Sequence, residues 1–287
     1  MAGIVFELNT LQALSVCFIL AVGYVASLYI WNNKLHRDHP ATIKRRCISV
    51  LLFSSLAPGF VWYFSTPTET LGHSLMTWLG VRFSGTIMAA VLPLFLTIVL
   101  FLGPLTLFYL DGVLKLYLEP KYWQANMKNL IWLRNHVVAP FSEEFIFRAC
   151  MIPLLIPSVG AGTAVFLAPL FFGVAHFHHM VERVRNKHAD LKTAFLQSLF
   201  QFSYTTVFGA YSAFLFIRTG SLVAPVVAHA FCNHMGFPDI GMVFQYPPPQ
   251  RYKIMANFVI GLVLWCFLLY PLTHPPLFSN TAYNLLL

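Results

Sequence analysis

Apolar stretches of about 20 residues, the length of helix that crosses a hydrocarbon core, recur along this chain and leave few folds open to it. They run over 9–31, 47–64, 84–110, 138–157, 159–178, 194–217, 220–237 and 254–273. Only 10% of the 287 residues are charged and 58% are hydrophobic, whereas a soluble domain carries about 25% charged residues. That leaves too little charge to coat a surface in water. The expected fold is all-α: a polytopic transmembrane helix bundle of about eight spans, forming a single membrane-embedded domain over 1–287. The fourth, fifth and seventh stretches are short or interrupted by Pro and Gly. Between the third and fourth, residues 113–138 mix polar and apolar positions around Trp123 and Trp132, which reads as an amphipathic interfacial segment. Residues 32–46 form a basic loop and 274–287 a tail. No basic residue precedes the first apolar run, so that run reads as a retained helix rather than a cleavable signal.

The cations give the bundle an orientation. With eight spans the connections alternate sides, and fifteen of the 18 Lys and Arg fall in loops one, three, five and seven. Lys34, Arg37, Lys44, Arg45 and Arg46 crowd the first of these, Lys115, Lys121, Lys128 and Arg134 the second. Arg183, Arg185, Lys187 and Lys192 occupy the third, Arg251 and Lys253 the fourth. Only Arg82 and Arg218 fall on the other side, and Arg148 lies within a span. The positive-inside rule therefore places those four loops in the cytosol and both termini outside it. The same rule accounts for the net charge of +8 without a nucleic-acid partner. The five cysteines, Cys17, Cys47, Cys150, Cys232 and Cys266, sit in or beside apolar stretches with no CxxC pair, as small buried residues do.

Ionisable residues inside spans cost about 2.5–3.5 kcal/mol each on insertion scales, so those present are functional candidates. Glu143 and Glu144 stand in the run Pro140 to Arg148. Glu144 and Arg148 are i and i+4 on a helix and reach one another. Glu143 points about 100° away, free for chemistry. His176 closes the fifth stretch, followed by His178 and His179, which read as interfacial residues. His229 and Asn233, again i and i+4, project from the seventh stretch, and both can donate hydrogen bonds as an oxyanion hole requires. The expected topology puts all three sites near the cytosolic ends of their helices.

These residues, as Glu143-Glu144-xxx-Arg148, Phe172-xxx-His176 and His229-xxx-Asn233, resemble the EExxxR, FxxxH and HxxxN pattern of the CPBP family of intramembrane proteases. Arg37-Asp38-His39-Pro40, Ile43-Lys44-Arg45-Arg46, Phe101-Leu102-Gly103-Pro104 and Arg134-Asn135 are similar to its eukaryotic type II CAAX prenyl protease branch. The resemblance covers nearly the whole chain. It implies an endoplasmic reticulum membrane protein, its site open to the cytosol, that removes the last three residues from prenylated CAAX proteins such as small GTPases. It also implies that Glu143 and His176 activate a water, that His229 and Asn233 form the oxyanion hole, and that Glu144 and Arg148 support the site, with no cofactor and no metal.

Other readings stay open on the residues alone. Glu143, His176 and His229 would serve a zinc-dependent protease, although HExxH is missing. A transporter or a non-cutting binder of prenylated tails also buries acids and histidines, although no internal repeat is visible. Cys150 and Cys232 flank the motifs as possible thiol nucleophiles; no GxSxG elbow is present.

Overall fold

The computed structural model describes residues 3–31, 35–69, 72–185 and 189–283. Lys34, Lys187 and the tail residues 284–287, all part of the expectations above, lie outside the described residues.

The first helix, α1 (Thr10–Ser27), starts at a reciprocal cap in which the Asn9 carbonyl accepts from the Gln12 backbone and the Gln12 side chain accepts from that of Asn9. Helix α2 (Pro40–Tyr63) has Pro40 in its first turn, where its missing N–H costs nothing. Lys44, Arg45 and Arg46 therefore sit on the first turns of a helix rather than in the expected loop. Helices α3 (Thr86–Leu100) and α4 (Leu102–Leu110) meet at a bend of 71°. Residues 113–138 form short helices at Val113–Leu116, Pro120–Met127 and Leu130–Leu133, then a π-helical turn at Arg134–Val138.

The stretch expected as the fourth span breaks into α5 (Ala139–Glu144), a second π-helical turn at Phe145–Cys150, and α6 (Ile152–Val159). Then follow α7 (Ala161–Ala175), α8 (His178–Arg185), the 29-residue α9 (Leu191–Thr219), the 13-residue α10 (Val223–Met235) and α11 (Pro248–Leu272). One antiparallel ribbon, β1 (Gly3–Val5) with β2 (Thr66–Thr68), interrupts the all-α architecture, pairing Ile4 with Pro67.

Four helical runs among the described residues are long and apolar enough to cross a membrane: Thr10–Ser27, Pro40–Tyr63, Ala161–Arg185 and Pro248–Leu272. The bent α3–α4 pair is a fifth if it crosses as one broken span. The all-α polytopic class stands; by helix length and apolar composition, eight spans are not confirmed. The physical reason lies in where the apolar residues point. Ile146, Ala149, Cys150, Met151, Ile152, Leu154 and Leu155 are fully buried inside the protein. That run is apolar because it is the core, around which α1 and α9 pack through Cys17, Leu20, Ala213 and Phe216. By contrast α11 fully buries only Ile254 and Gly261 and leaves Val259, Leu262 and Phe267 exposed, an outward apolar face suited to lipid.

The two cations expected on the far side cap helix ends. Arg82 donates to the carbonyls of Thr219 at 2.6 Å, Gly220 at 2.8 Å, Phe278 at 2.6 Å and Ser279. Arg218 donates to the carbonyl of Tyr270 at 3.1 Å. Both satisfy carbonyls that a helix terminus leaves open.

Candidate functional site

The broken stretch around α5 carries the chemistry. A π turn widens the helix locally, and such turns recur at functional sites. Here the turn from Phe145 to Cys150 holds Arg148 against Glu144, with Nε 3.2 Å from Oε2. Both side chains are fully buried. None of the three Arg148 nitrogens finds a well-angled acceptor among the described residues. The guanidinium instead rests on this ion pair and on the face of Phe172, 4.4 Å away. A desolvated contact of that kind contributes about 2 kcal/mol. Gly209 of α9 makes room for it, since a Cβ there would lie 3.0 Å from Arg148 Nη2 and 2.8 Å from Pro169.

Glu144 has two more partners that sequence reasoning did not supply. Ser212 of α9 donates its hydroxyl to Oε2, and His229 of α10 lies with Nδ1 2.6 Å from Oε1. A carboxylate accepts, so the proton of that bond sits on Nδ1. His229 Nε2 then faces the other acid, 3.7 Å from Glu143 Oε2. His229 is thus held between the two glutamates, where the spacing alone had paired it only with Asn233. The rings of Phe208, at 4.9 Å, and Phe172, at 6.2 Å, wall it in.

His176 ends α7 and stands edge-on to Phe172, with 4.6 Å between ring centroids. Its Nδ1 is 2.7 Å from the carbonyl of Phe172. A carbonyl cannot donate, so Nδ1 carries a proton and Nε2 is left to face the cavity. Asn233 donates from Nδ2 to the carbonyl of Asn135 at 2.9 Å, which ties α10 to the first π turn. Ser142, one residue before Glu143, shares a 2.9 Å hydrogen bond with Tyr24 of α1.

Glu143, His176, His229 and Asn233 all line one cavity of about 1370 Å³; Glu144 and Arg148 lie behind its wall. Its walls are otherwise mainly apolar, with Phe101, Phe214, Phe258 and Trp265 among them. Of the two cysteines beside the motifs, Cys150 is fully buried and only Cys232 reaches the cavity. Among the described residues, no group of three or more His, Cys, Asp or Glu side chains is arranged to hold a metal ion.

Ser212, the ring of Phe172 and the carbonyl of Asn135 are the parts of this site that residue spacing missed. Only Phe172 left a signal, as the first letter of its motif. A serine on an apolar helix 68 residues from its partner leaves none.

Fold and site define a polytopic helical membrane protein with an acid–histidine cluster facing an internal cavity. Comparison with known proteins carries this further. The family model for type II CAAX prenyl endopeptidase, Rce1-like, matches residues 125–235, a stretch that holds Glu143, Glu144, Arg148, Phe172, His176, Ser212, His229 and Asn233. CAAX prenyl protease 2 of Homo sapiens is 49% identical to this chain, covering 94% of it and 84% of the human protein. CAAX prenyl protease 2 of Rattus norvegicus is 43% identical over 94% of this chain and 83% of its own length. That of Arabidopsis thaliana is 31% identical over 94% and 92%. No solved structure matches the chain. The chain belongs to the type II CAAX prenyl endopeptidase family, and it is a protease.

Proposed function

We propose that this protease removes the C-terminal tripeptide from prenylated CAAX proteins, small GTPases among them, at a site in the endoplasmic reticulum membrane that opens to the cytosol. The observation that carries the reading is the gathering of Glu143, His176, His229 and Asn233, from three separate helices, on the wall of one largely apolar cavity. A prenyl chain needs apolar walls, and peptide hydrolysis needs a base and a set of donors.

Glu143 and the free Nε2 of His176 bind and deprotonate a water, whose oxygen attacks the carbonyl carbon of the prenylcysteine. The proton passes to Glu143 and then to the departing amine of the tripeptide. His229 donates from Nε2 to the carbonyl oxygen as its charge develops, with Asn233 as second donor through the N–H not used on Asn135. Glu144 fixes which nitrogen His229 presents, and Arg148 balances Glu144. The cytosolic orientation is supported by the cavity's own cations. Arg37, Arg46 and Arg134 line it, while Arg82 and Arg218 cap helices elsewhere, which by the positive-inside rule favours a cavity mouth on the cytosolic side.

The test is cleavage of a farnesylated CAAX peptide by purified protein in lipid, wild type against Glu143→Gln. Wild type releases the tripeptide, and the variant loses at least about 10³-fold in kcat. Equal rates would remove Glu143 as the base. No cleavage by either would turn the reading toward a protease of other substrates.

A further inference from the structure

The charged lining of the cavity is lopsided. Among the described residues it comprises three arginines, Arg37, Arg46 and Arg134, and one acid, Glu143. Hydrolysis uses the acid. Nothing in the reaction described so far uses the arginines.

Two of them form a unit. Arg134, at the start of the first π turn, donates from Nη1 to Asp38 at 2.8 Å and from Nε to the Asn135 side chain at 2.9 Å. Arg37 comes within 3.8 Å of the same Asp38 carboxylate. One carboxylate between two guanidinium groups leaves a net positive charge. Arg134 Nη2 makes no hydrogen bond among the described residues, and the Arg37 side chain is 44% exposed. Arg46 is different: it is held by Glu182 at 2.7 Å, and that acid also accepts from Tyr29.

Length supplies a second, independent observation. Arg134 precedes Glu143 by nine residues on one nearly continuous helical run, a rise of about 13 Å at 1.5 Å per residue. From the bond cleaved, a CAAX tail extends three residues to its free carboxylate, about 10 Å in extended form. Asn233, bonded to the Asn135 carbonyl, fixes the distance between the arginine end and the catalytic helix α10.

We propose that Arg134 and Arg37 bind the C-terminal carboxylate of the substrate, and so measure three residues from the bond that is cut. This rests on the proposed function. Charge-assisted hydrogen bonds to a planar carboxylate suit arginine.

The experiment compares one farnesylated CAAX peptide as free acid and as C-terminal amide, reading the ratio of kcat/KM, which cancels differences in active protein. Wild type prefers the acid by about 10–100-fold, mainly through KM. In Arg134→Gln and in Arg37→Gln the ratio collapses toward one, and Arg134→Lys lies between. Arg46→Gln keeps the wild-type ratio. Should Arg134→Gln cut neither peptide, Arg37→Gln and the wild-type ratio decide. Equal cleavage of acid and amide by wild type overturns the inference and leaves the protease reading intact. So does a ratio unchanged in both glutamine variants, as expected if these arginines hold lipid phosphate instead. Cleavage of neither peptide by wild type overturns the proposed function and this inference together.

Discussion

Replacing Glu144 by Gln changes no volume and removes one charge, and the geometry says where the loss falls. His229 Nδ1 sits on Oε1, while Ser212 and Arg148 share Oε2. A glutamine keeps its carbonyl oxygen toward His229, since Nδ1 there donates. Its NH₂ then takes the Oε2 position. The Ser212 hydroxyl can rotate and accept from it. Arg148 cannot, because a guanidinium has no acceptor. The variant therefore leaves a fully buried arginine without a counter-charge. Removing one partner of a buried pair costs about 3–5 kcal/mol, and insertion scales place an unpaired arginine in a membrane at about 2.5–3.5 kcal/mol. A loss of ~3 kcal/mol at about 2–4 °C per kcal/mol lowers the melting temperature by about 6–12 °C. Adding Arg148→Met removes the stranded charge and recovers at least half of that shift. Activity should not follow stability back, because His229 still lacks the carboxylate that holds it. The assay is thermal unfolding in detergent or nanodiscs, with kcat on the same samples. The reasoning is refuted if Glu144→Gln melts within about 2 °C of wild type, or if the double variant melts below the single one.

Ser212→Ala deletes a single donor to Glu144 and should cost about 1–2 kcal/mol, with a several-fold lower kcat measured on the farnesylated peptide. Gly209→Val pushes a side chain into the space holding Arg148 and Pro169 and should melt lower than Gly209→Ala, by differential scanning fluorimetry. Asn233→Ala should lower kcat by about 10–10² with little change in KM; an unchanged kcat would remove Asn233 from the oxyanion hole. Outside the membrane, the hydrogen bond from Arg134 holds the Asp38 carboxyl below the usual carboxylate range. A depressed folded-state pKa gives stability that is present above the unfolded value and lost as pH falls through the folded one. Asp38→Asn should therefore flatten the acid limb of stability below about pH 4, and an identical acid limb in the variant would show that Asp38 contributes nothing. Full activity after exhaustive chelation, and in Cys232→Ser, should set aside the zinc and thiol readings; activity lost on chelation and restored by zinc would bring the first one back.

What the sequence could and could not show divides along one physical line, between local and distant geometry. Glu144 and Arg148 were legible as a pair because four helical residues bring side chains together whatever the rest of the chain does. His229 against Glu144, and Ser212 against Glu144, were not, because residues 85 and 68 apart meet only through packing. Eight spans go unconfirmed for a related reason. Hydropathy records that a run is apolar but not whether it faces lipid or protein, and 146–155 is apolar because it is buried core. The difference is informative in itself. Irregular backbone at membrane depth persists only where it is buried in protein or lines a cavity. Here that is the stretch broken into two π turns and short helices, together with the 13-residue α10 packed against it. Two stretches that read as spans, 138–157 and 220–237, are broken or short in the structure, and they carry Glu143, Glu144, Arg148, His229 and Asn233. In a chain of this composition, a motif residue on an apolar run too short or too broken to cross the membrane points to the cavity more strongly than one on an unbroken span such as α11.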